Sequence, residues 1–145
     1  VCDINVYETS NWERIRTWSW RKDVFSVMFS PSSGQLFSGS GDDGTVRLWD
    51  VETGDCIHIL GVGDKAVSSV GYNAASSDVF VFSVAYSPQG DMIASAKDKT
   101  VRVWNVETGE CRHTLTGHSD EVRSVVYSPN GNQIASGSGD TTVRL

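Results

Sequence analysis

Short runs of β-branched and aromatic residues, each bounded by turn-forming residues, recur along the whole chain. Three of these runs, at residues 25–29, 82–86 and 123–127, each lead into a Ser-Pro pair. A glycine and a second apolar run follow each pair, and an Asp-x-Thr turn then precedes a third run that begins Val-Arg. This pattern predicts short antiparallel strands joined by tight turns. No window shows the sustained 3.6-residue period of a helix.

The same pattern returns several times in one register. The segment Gly-Thr-Val-Arg-Leu-Trp-Asp-Val-Glu-Thr-Gly at 44–54 recurs at 99–109 as Lys-Thr-Val-Arg-Val-Trp-Asn-Val-Glu-Thr-Gly, and its first part recurs at 141–145. A degenerate copy at 4–8 aligns with 46–50. Four short antiparallel strands in about 42 residues are typical of one blade of a β-propeller.

The repeat spacing predicts an all-β chain of about three and a half propeller blades, each complete blade having four antiparallel strands. We expect the last two strands of a blade at 1–18, a blade at 19–60, a blade with an insertion (about 61–78) at 61–115, and the first three strands of a blade at 116–145. Propellers typically close with 4–8 blades. We therefore expect a segment of a longer protein, whose remaining blades are partners of this one.

The insertion leaves one choice open. Residues 67–72 echo residues 82–86, so the added segment is either a loop or a partly duplicated strand. We favour residues 82–86 as the strand of the repeat, because they lead directly into a Ser-Pro pair.

The last repeat carries the most recognisable residues. Gly117-His118 is followed by Val-x-Ser-Val-x-Tyr-Ser-Pro-Asn-Gly at 122–131, Ile-Ala-Ser-Gly-Ser-Gly-Asp at 134–140 and Thr-Val-Arg-Leu at 142–145. This resembles a WD repeat, and the resemblance covers nearly the whole chain. It implies a β-propeller that acts as a non-catalytic scaffold and presents a protein-binding surface within a larger intracellular assembly.

The resemblance also implies a structural tetrad in each blade, in which a turn Asp, a Gly-His His, a second-strand Ser and a third-strand Trp share buried hydrogen bonds. The matching residues are His118, Ser136 and Asp140 in the last blade, Ser38, Asp43 and Trp49 in one earlier blade, and Ser95, Asp98 and Trp104 in the other. The last blade's Trp would fall one residue after Leu145. The earlier blades have no His, since Trp20 or Arg21 and Gly63 stand at its positions.

Partner contacts in the family concentrate on the narrow top face, beside the first Val of the inner strand and just before the turn Asp. The matching positions are Asp23, Phe25, Asp42, Phe80, Phe82, Lys97, Glu121, Arg123 and Gly139. Aromatic and Arg side chains are enriched at interface hot spots. The expected partners are therefore other proteins or peptides.

Two alternatives involve chemistry. His118, Ser136 and Asp140 are also the residue types of a hydrolytic triad, but no Gly-x-Ser-x-Gly elbow is present and the other repeats lack the His. Cys-x-His occurs at 56–58 and again at 111–113, yet one pair supplies only two metal ligands. We favour structural roles for both sets, and we predict no enzyme activity, metal or cofactor.

Charge and cysteine usage narrow the function further. Twelve Lys and Arg against 18 Asp and Glu give a net charge of −6, whereas nucleic-acid binding needs a basic face. The Trp-rich and Arg-rich segment at 12–21 is therefore interpreted as strand packing. We expect an intracellular protein, because the three cysteines are widely spaced and the sequence shows neither a secretory leader nor an apolar run of membrane length.

A second function differs from the protein-binding scaffold. The chain could be a ligand-sensing repeat segment of a multidomain nucleotide-binding signalling protein, for which an upstream P-loop would be diagnostic.

Overall fold

The computed structural model describes residues 2–20, 23–31, 34–40, 44–60 and 80–145. Within them the chain forms thirteen β-strands. In chain order these are β1 (Cys2–Tyr7), β2 (Arg14–Trp20), β3 (Val24–Phe29), β4 (Gln35–Ser40), β5 (Val46–Asp50), β6 (Cys56–Leu60), β7 (Val81–Tyr86), β8 (Met92–Lys97), β9 (Thr100–Asn105), β10 (Cys111–Leu115), β11 (Val122–Tyr127), β12 (Ile134–Ser138) and β13 (Val143–Arg144).

The strands form four antiparallel sheets, in each of which neighbouring strands follow one another along the chain. The first sheet is β1-β2, the second β3-β4-β5-β6, the third β7-β8-β9-β10 and the fourth β11-β12-β13. This arrangement confirms the predicted all-β class with four-stranded antiparallel sheets. Strand β2 ends at Trp20, two residues beyond the predicted end of the first segment. The predicted insertion at about 61–78 lies outside the described residues.

A repeated turn connects the third and fourth strands of each complete sheet. The amide N–H of Thr53 donates to the Asp50 carboxylate at 2.7 Å, and that of Thr108 donates to the Asn105 side-chain oxygen at 2.8 Å. The turn closes at Gly54 with φ +86°, a conformation that glycine adopts without steric cost. The recurring Val-Glu-Thr-Gly motif is therefore a turn motif.

The apolar core lies between successive sheets. Ile4, Val6 and Trp18 of the first sheet pack against Leu36 and Trp49 of the second. Phe37, Leu48 and Leu60 of the second pack against Val84, Tyr86, Ile93 and Trp104 of the third. Ala94, Ala96 and Val101 of the third pack against Val122 and Val125 of the fourth. The third sheet is thus covered on both faces, which explains why its first two strands, β7 and β8, consist mainly of apolar and small residues.

The first strand of a sheet is buried only where the preceding sheet covers it. Val84 and Tyr86 of β7 face the second sheet and are 5% and 7% exposed. Val27 and Phe29, at the matching positions of β3, are 52% and 53% exposed. The first sheet contributes only β1 and β2 among the described residues, so it does not cover β3 in the same way.

Candidate protein-binding face

A β-bulge occurs at the same repeat position in three sheets. Val24 pairs with Ser40 and Ser26 with Gly39, so that Phe25 between them has no partner across the ladder. The pairing of β7 with β8 skips Phe82, and that of β11 with β12 skips Arg123, in the same way. Bulges turn a side chain out of the regular alternation of a strand. The three predicted contact residues therefore share a local backbone irregularity.

Three of the predicted contact residues form one aromatic cluster. The ring centroids of Phe25 and Phe80 lie 5.7 Å apart with an interplanar angle of 84°. Those of Phe25 and Phe82 lie 5.8 Å apart, and those of Phe80 and Phe82 lie 5.7 Å apart. Phe25 remains 48% exposed. The structure thus joins residues from two sheets into a partly exposed aromatic surface, which we call the Phe cluster.

The fourth sheet brings its three predicted contact residues together. A guanidinium nitrogen of Arg123 lies 3.7 Å from a carboxylate oxygen of Glu121, and both side chains are exposed. The amide N–H of Gly139 donates to the Glu121 carbonyl at 2.9 Å. Asp23 is exposed next to β3, and Asp42 lies outside the described residues.

Lys97 differs from the other predicted contact residues, because it is only 4% exposed. Its ammonium lies 3.7 Å from the Asp98 carboxylate. Burial lowers the pKa of Lys97, and the Asp98 carboxylate opposes that shift. Lys97 pairs with Val81, whereas Ser138 pairs with Val122 in the fourth sheet. By strand register Lys97 therefore corresponds to Ser138, although counting back from the turn Asp had matched it with Gly139.

A buried hydrogen-bond network connects the three candidate tetrad residues of the fourth sheet. Nδ1 of His118 lies 2.8 Å from an Asp140 carboxylate oxygen, and Nε2 lies 2.9 Å from the Ser136 hydroxyl. If Nδ1 carries the proton that it donates to the carboxylate, Nε2 accepts the proton of the Ser136 hydroxyl. The imidazole is 4% exposed and therefore connects the 116–121 segment to strand β12 and its turn.

Asp140 collects hydrogen bonds from its own turn as well. The Thr142 hydroxyl donates to it at 2.6 Å, and the amide N–H groups of Thr142 and Ser119 donate at 2.9 and 3.0 Å. The Thr142 hydroxyl bond, followed by those from His118 and the two amides, holds the pKa of Asp140 well below its usual range against the opposing effect of burial. The carboxylate is therefore ionised at neutral pH.

In the two earlier candidate tetrads, the described hydrogen bond joins the Trp indole to the Ser hydroxyl. The indole N–H of Trp49 donates to the Ser38 hydroxyl at 2.9 Å, and that of Trp104 donates to the Ser95 hydroxyl at 2.9 Å. Asp43 lies outside the described residues. Asp98 follows Ser95 by three residues, one fewer than Asp140 follows Ser136, and it lies in a two-residue turn with φ +50°. Its described side-chain ion pair is with Lys97.

Sequence reasoning missed a set of hydroxyl contacts between sheets. The Ser26 hydroxyl accepts the amide N–H of Val84 at 3.2 Å, and the Ser83 hydroxyl accepts that of Val125 at 3.3 Å. Each bond joins the inner strand of one sheet to the inner strand of the next. The signal was present, because the Ser-Val pair recurs at 26–27, 83–84 and 124–125.

Two features of the sequence were considered above for metal or nucleic-acid binding, namely the Cys-x-His pairs and the Trp-rich segment at 12–21. Among the described residues, no group of three or more His, Cys, Asp or Glu side chains is placed to hold a metal ion. In the Trp-rich segment, Trp18 is buried and its ring centroid lies 5.6 Å from that of Trp49. The Arg16 guanidinium donates to the carbonyls of Val51 and Glu52. These two side chains therefore pack the first sheet onto the second.

Comparison with known proteins agrees with this architecture. Residues 12–50, 54–105 and 109–145 match the WD domain, G-beta repeat family. Autophagy-related protein 16 of Arabidopsis thaliana is 34% identical over 97 residues, which cover 67% of this chain and 16% of that protein. Protein tipD of Dictyostelium discoideum is 31% identical over 132 residues, which cover 90% and 19%.

A fungal relative shares the highest identity of the three. Nuclear distribution protein PAC1 of Coccidioides posadasii is 38% identical in an alignment of 167 positions that covers 88% of this chain and 35% of that protein. The chain thus spans 16% to 35% of the lengths of these relatives. No helix in the described part of the chain is long and apolar enough to cross a membrane. Since the family match extends over most of the sequence and its three matched ranges include strands of all four sheets, the chain belongs to the WD-repeat family.

Proposed function

We propose that this chain is a non-catalytic scaffold that binds other proteins or peptides as part of a larger intracellular assembly. WD repeats typically serve as protein-binding modules. The observation that carries the proposal is the Phe cluster. Its residues come from two sheets, lie at or next to bulges, and leave Phe25 half exposed.

The composition of this surface suits a hot spot. Aromatic side chains supply large apolar contact areas at interface centres. Around the Phe cluster we assign a polar rim to Asp23, Glu121 and Arg123, which are charged residues of the predicted face with described side chains that are not buried. A partner would insert an apolar side chain against the cluster, while the rim fixes its orientation. Lys97 supports this face from within, because its side chain is buried.

We extend the proposal to the organisation of the protein. Residues 1–18, 19–60, 61–115 and 116–145 are one partial, two complete and one three-stranded blade, and further blades of the same polypeptide complete the propeller. Free thiols at Cys2, Cys56 and Cys111 fit a reducing intracellular compartment.

The hydrogen-bonded Ser136, His118 and Asp140 need a separate assignment, because their connectivity is that of a hydrolytic triad. We assign them a structural role. Ser136 pairs with Val125 on one side and Arg144 on the other, inside a strand rather than on an exposed elbow. The matching hydroxyls of Ser38 and Ser95 accept hydrogen bonds from buried indoles, so this repeat position serves packing elsewhere.

The test is a matched comparison of Phe variants. Peptides selected from a display library on the wild-type protein would be titrated by calorimetry against Phe25→Ala, Phe82→Ala and Phe29→Ala. Phe29 is also an exposed phenylalanine of β3 but does not belong to the Phe cluster, so it controls for the loss of an exposed ring.

We expect Phe25→Ala and Phe82→Ala to weaken peptide binding tenfold or more, since hot-spot truncations cost about 2 kcal/mol. Phe29→Ala is expected to bind as the wild type does. Equal weakening by all three variants, or by Phe29→Ala alone, would place the binding surface elsewhere. Urea unfolding of each variant shows whether lost binding reflects lost folding.

A further inference from the structure

The turn between β11 and β12 carries an Asn-Gly pair. Asn130-Gly131 is the only Asn-Gly pair in the sequence. The amide N–H of Gly131 donates to the Ser128 carbonyl at 2.9 Å and closes a tight turn with Pro129 at its second position. Gly131 has φ +76°, which a residue with a side chain would rarely adopt. The turn therefore requires a residue without a side chain directly after Asn130.

Two hydrogen bonds hold the Asn130 carboxamide over this turn. Its oxygen Oδ1 accepts the Ser128 hydroxyl at 2.7 Å and the amide N–H of Asn132 at 3.1 Å. The bond from Asn132 closes an Asx turn, a small ring that contains both Cγ of Asn130 and the nitrogen of Gly131. The two donors also polarise the carboxamide and stabilise negative charge on Oδ1, as the donors of an oxyanion hole do. An electrophilic carbon and a potential nucleophile are thus held in one ring.

This position of the repeat stays accessible when a neighbouring sheet lies beside it. The matching residue of the third sheet is Gln89, which is exposed although the fourth sheet packs against the third. The Gln89 side-chain amide donates to the main-chain carbonyl of Asn130 at 3.3 Å, so the two turns contact each other. Asn130 is exposed as well. Water and hydroxide therefore reach the turn.

We propose that Asn130 is a self-modification site, at which the turn converts asparagine into isoaspartate and aspartate. Hydroxide removes the proton of the Gly131 amide, and the nitrogen attacks Cγ of Asn130. The carboxamide C–N bond breaks, ammonia leaves with a proton from water, and a five-membered succinimide ring remains. Water then opens the ring at the main-chain carbonyl to give isoaspartate, or at Cγ to give aspartate. The net change consumes one water and releases one ammonia.

Isoaspartate changes the path of the main chain. The peptide link then runs through Cβ and Cγ, which adds one carbon atom to the tight turn. The carbonyl that accepts the Gln89 amide becomes a carboxylate outside the main chain. Since the turn sets the register of the strands that it joins, we expect the modification to weaken the pairing of β11 with β12.

The wild-type chain contains two matched controls. Gln89 stands in the same turn of the third sheet and is also followed by a glycine, but its longer side chain would have to close a six-membered ring. Asn11 accepts an amide N–H from two residues ahead at 2.9 Å, but the bulky Trp12 follows it. The folded protein would be incubated in mildly alkaline buffer, and peptide mapping by mass spectrometry would follow all three sites in one sample.

We expect Asn130 to convert at least about tenfold faster than either control, a difference of about 1.4 kcal/mol in activation free energy. Ser128→Ala removes one donor to Oδ1 and should slow the conversion about threefold to tenfold, as the loss of one hydrogen bond would. Ser128→Thr keeps the hydroxyl and should convert at the wild-type rate. The controls within the wild-type chain keep the test valid even where Ser128→Ala loosens the turn.

Three results would overturn the proposal. The first is equal conversion at Asn130 and the two controls. The second is aspartate as the sole product, because direct hydrolysis by water forms no ring and gives no isoaspartate. The third concerns the isoaspartyl protein, separated by ion exchange and compared with Asn130→Asp, which carries the same charge on an ordinary main chain. We expect the isoaspartyl form to unfold at lower urea concentration, and equal midpoints would contradict the effect on the turn.

Discussion

His118 offers the sharpest test of the buried network. Its ring is 4% exposed and contacts Ser136 and Asp140 from a segment outside strand β12. Replacing it with alanine removes both contacts and leaves a cavity between Ser136 and Asp140. His113→Ala is the matched control, because His113 lies on β10 and is exposed.

The expected loss follows from two effects. The lost hydrogen bond to Ser136 costs about 1 kcal/mol of unfolding free energy. The cavity left by the buried ring adds about 1 to 2 kcal/mol, since the surroundings relax only in part. A total of about 2 to 3 kcal/mol corresponds to a fall of about 1 to 2 M in the urea midpoint for a chain of this size. His113→Ala should remain within about 0.5 kcal/mol of wild type, as exposed substitutions usually do.

Urea unfolding followed by tryptophan fluorescence measures both variants. Equal midpoints for His118→Ala and His113→Ala would refute the assigned structural role. An ester-hydrolysis assay on the wild type gives the second readout, because a catalytic triad would turn over an activated ester and lose that activity in His118→Ala. We expect no turnover above that of free imidazole.

Three further predictions concern stability. Because the pKa of Asp140 is lowered in the folded protein, its ionised carboxylate stabilises the fold at pH values above the ordinary Asp pKa of about 3.9. This contribution declines as the pH falls below that value. Asp140→Asn should therefore reduce the dependence of the unfolding free energy on pH in the acid range. Val84→Ala should cost about 2 kcal/mol and the position-matched Val27→Ala less than about 0.5 kcal/mol, since only the former is buried; thermal unfolding by circular dichroism compares them. Gly39→Ala should lower the unfolding free energy by about 1–3 kcal/mol, because the new Cβ would lie 2.8 Å from Val81 Cγ1 of the third sheet. The matched Gly137→Ala should be tolerated, because the nearest atom to its new Cβ is Ser124 Cβ at 4.0 Å. Urea midpoints compare the two variants, and equal losses would contradict the inter-sheet packing.

Most strands could be predicted from local pattern. Their β-branched runs end at residues that favour tight turns. The same run and turn recur in several copies of the repeat, and each copy supports the same strand assignment. The residue of the last repeat that corresponds to Lys97 could not be predicted in this way. The turn after β8 is one residue shorter than the turn after β12. Counting back from the turn Asp therefore aligns Lys97 with Gly139, whereas the strand register aligns it with Ser138.

The candidate binding face was predicted as a set of separate positions. Sequence reasoning placed Phe25, Phe80 and Phe82 on it through the resemblance to WD repeats. That the three rings contact one another depends on how the second sheet packs against the third, because Phe25 is separated from the other two by more than fifty residues. The buried state of Lys97 depends on the same packing.

The sequence alone determined the strands, their turns and the repeat, because each is specified within about 42 residues by local conformational preference and by the alternation of side chains. The tertiary structure decided which copies of a repeated residue are buried. Val84 and Val27 are equivalent in the repeat, yet among the described residues only Val84 packs against a four-stranded neighbouring sheet. Burial is a property of two surfaces in contact, and the repeat pattern describes only one of them.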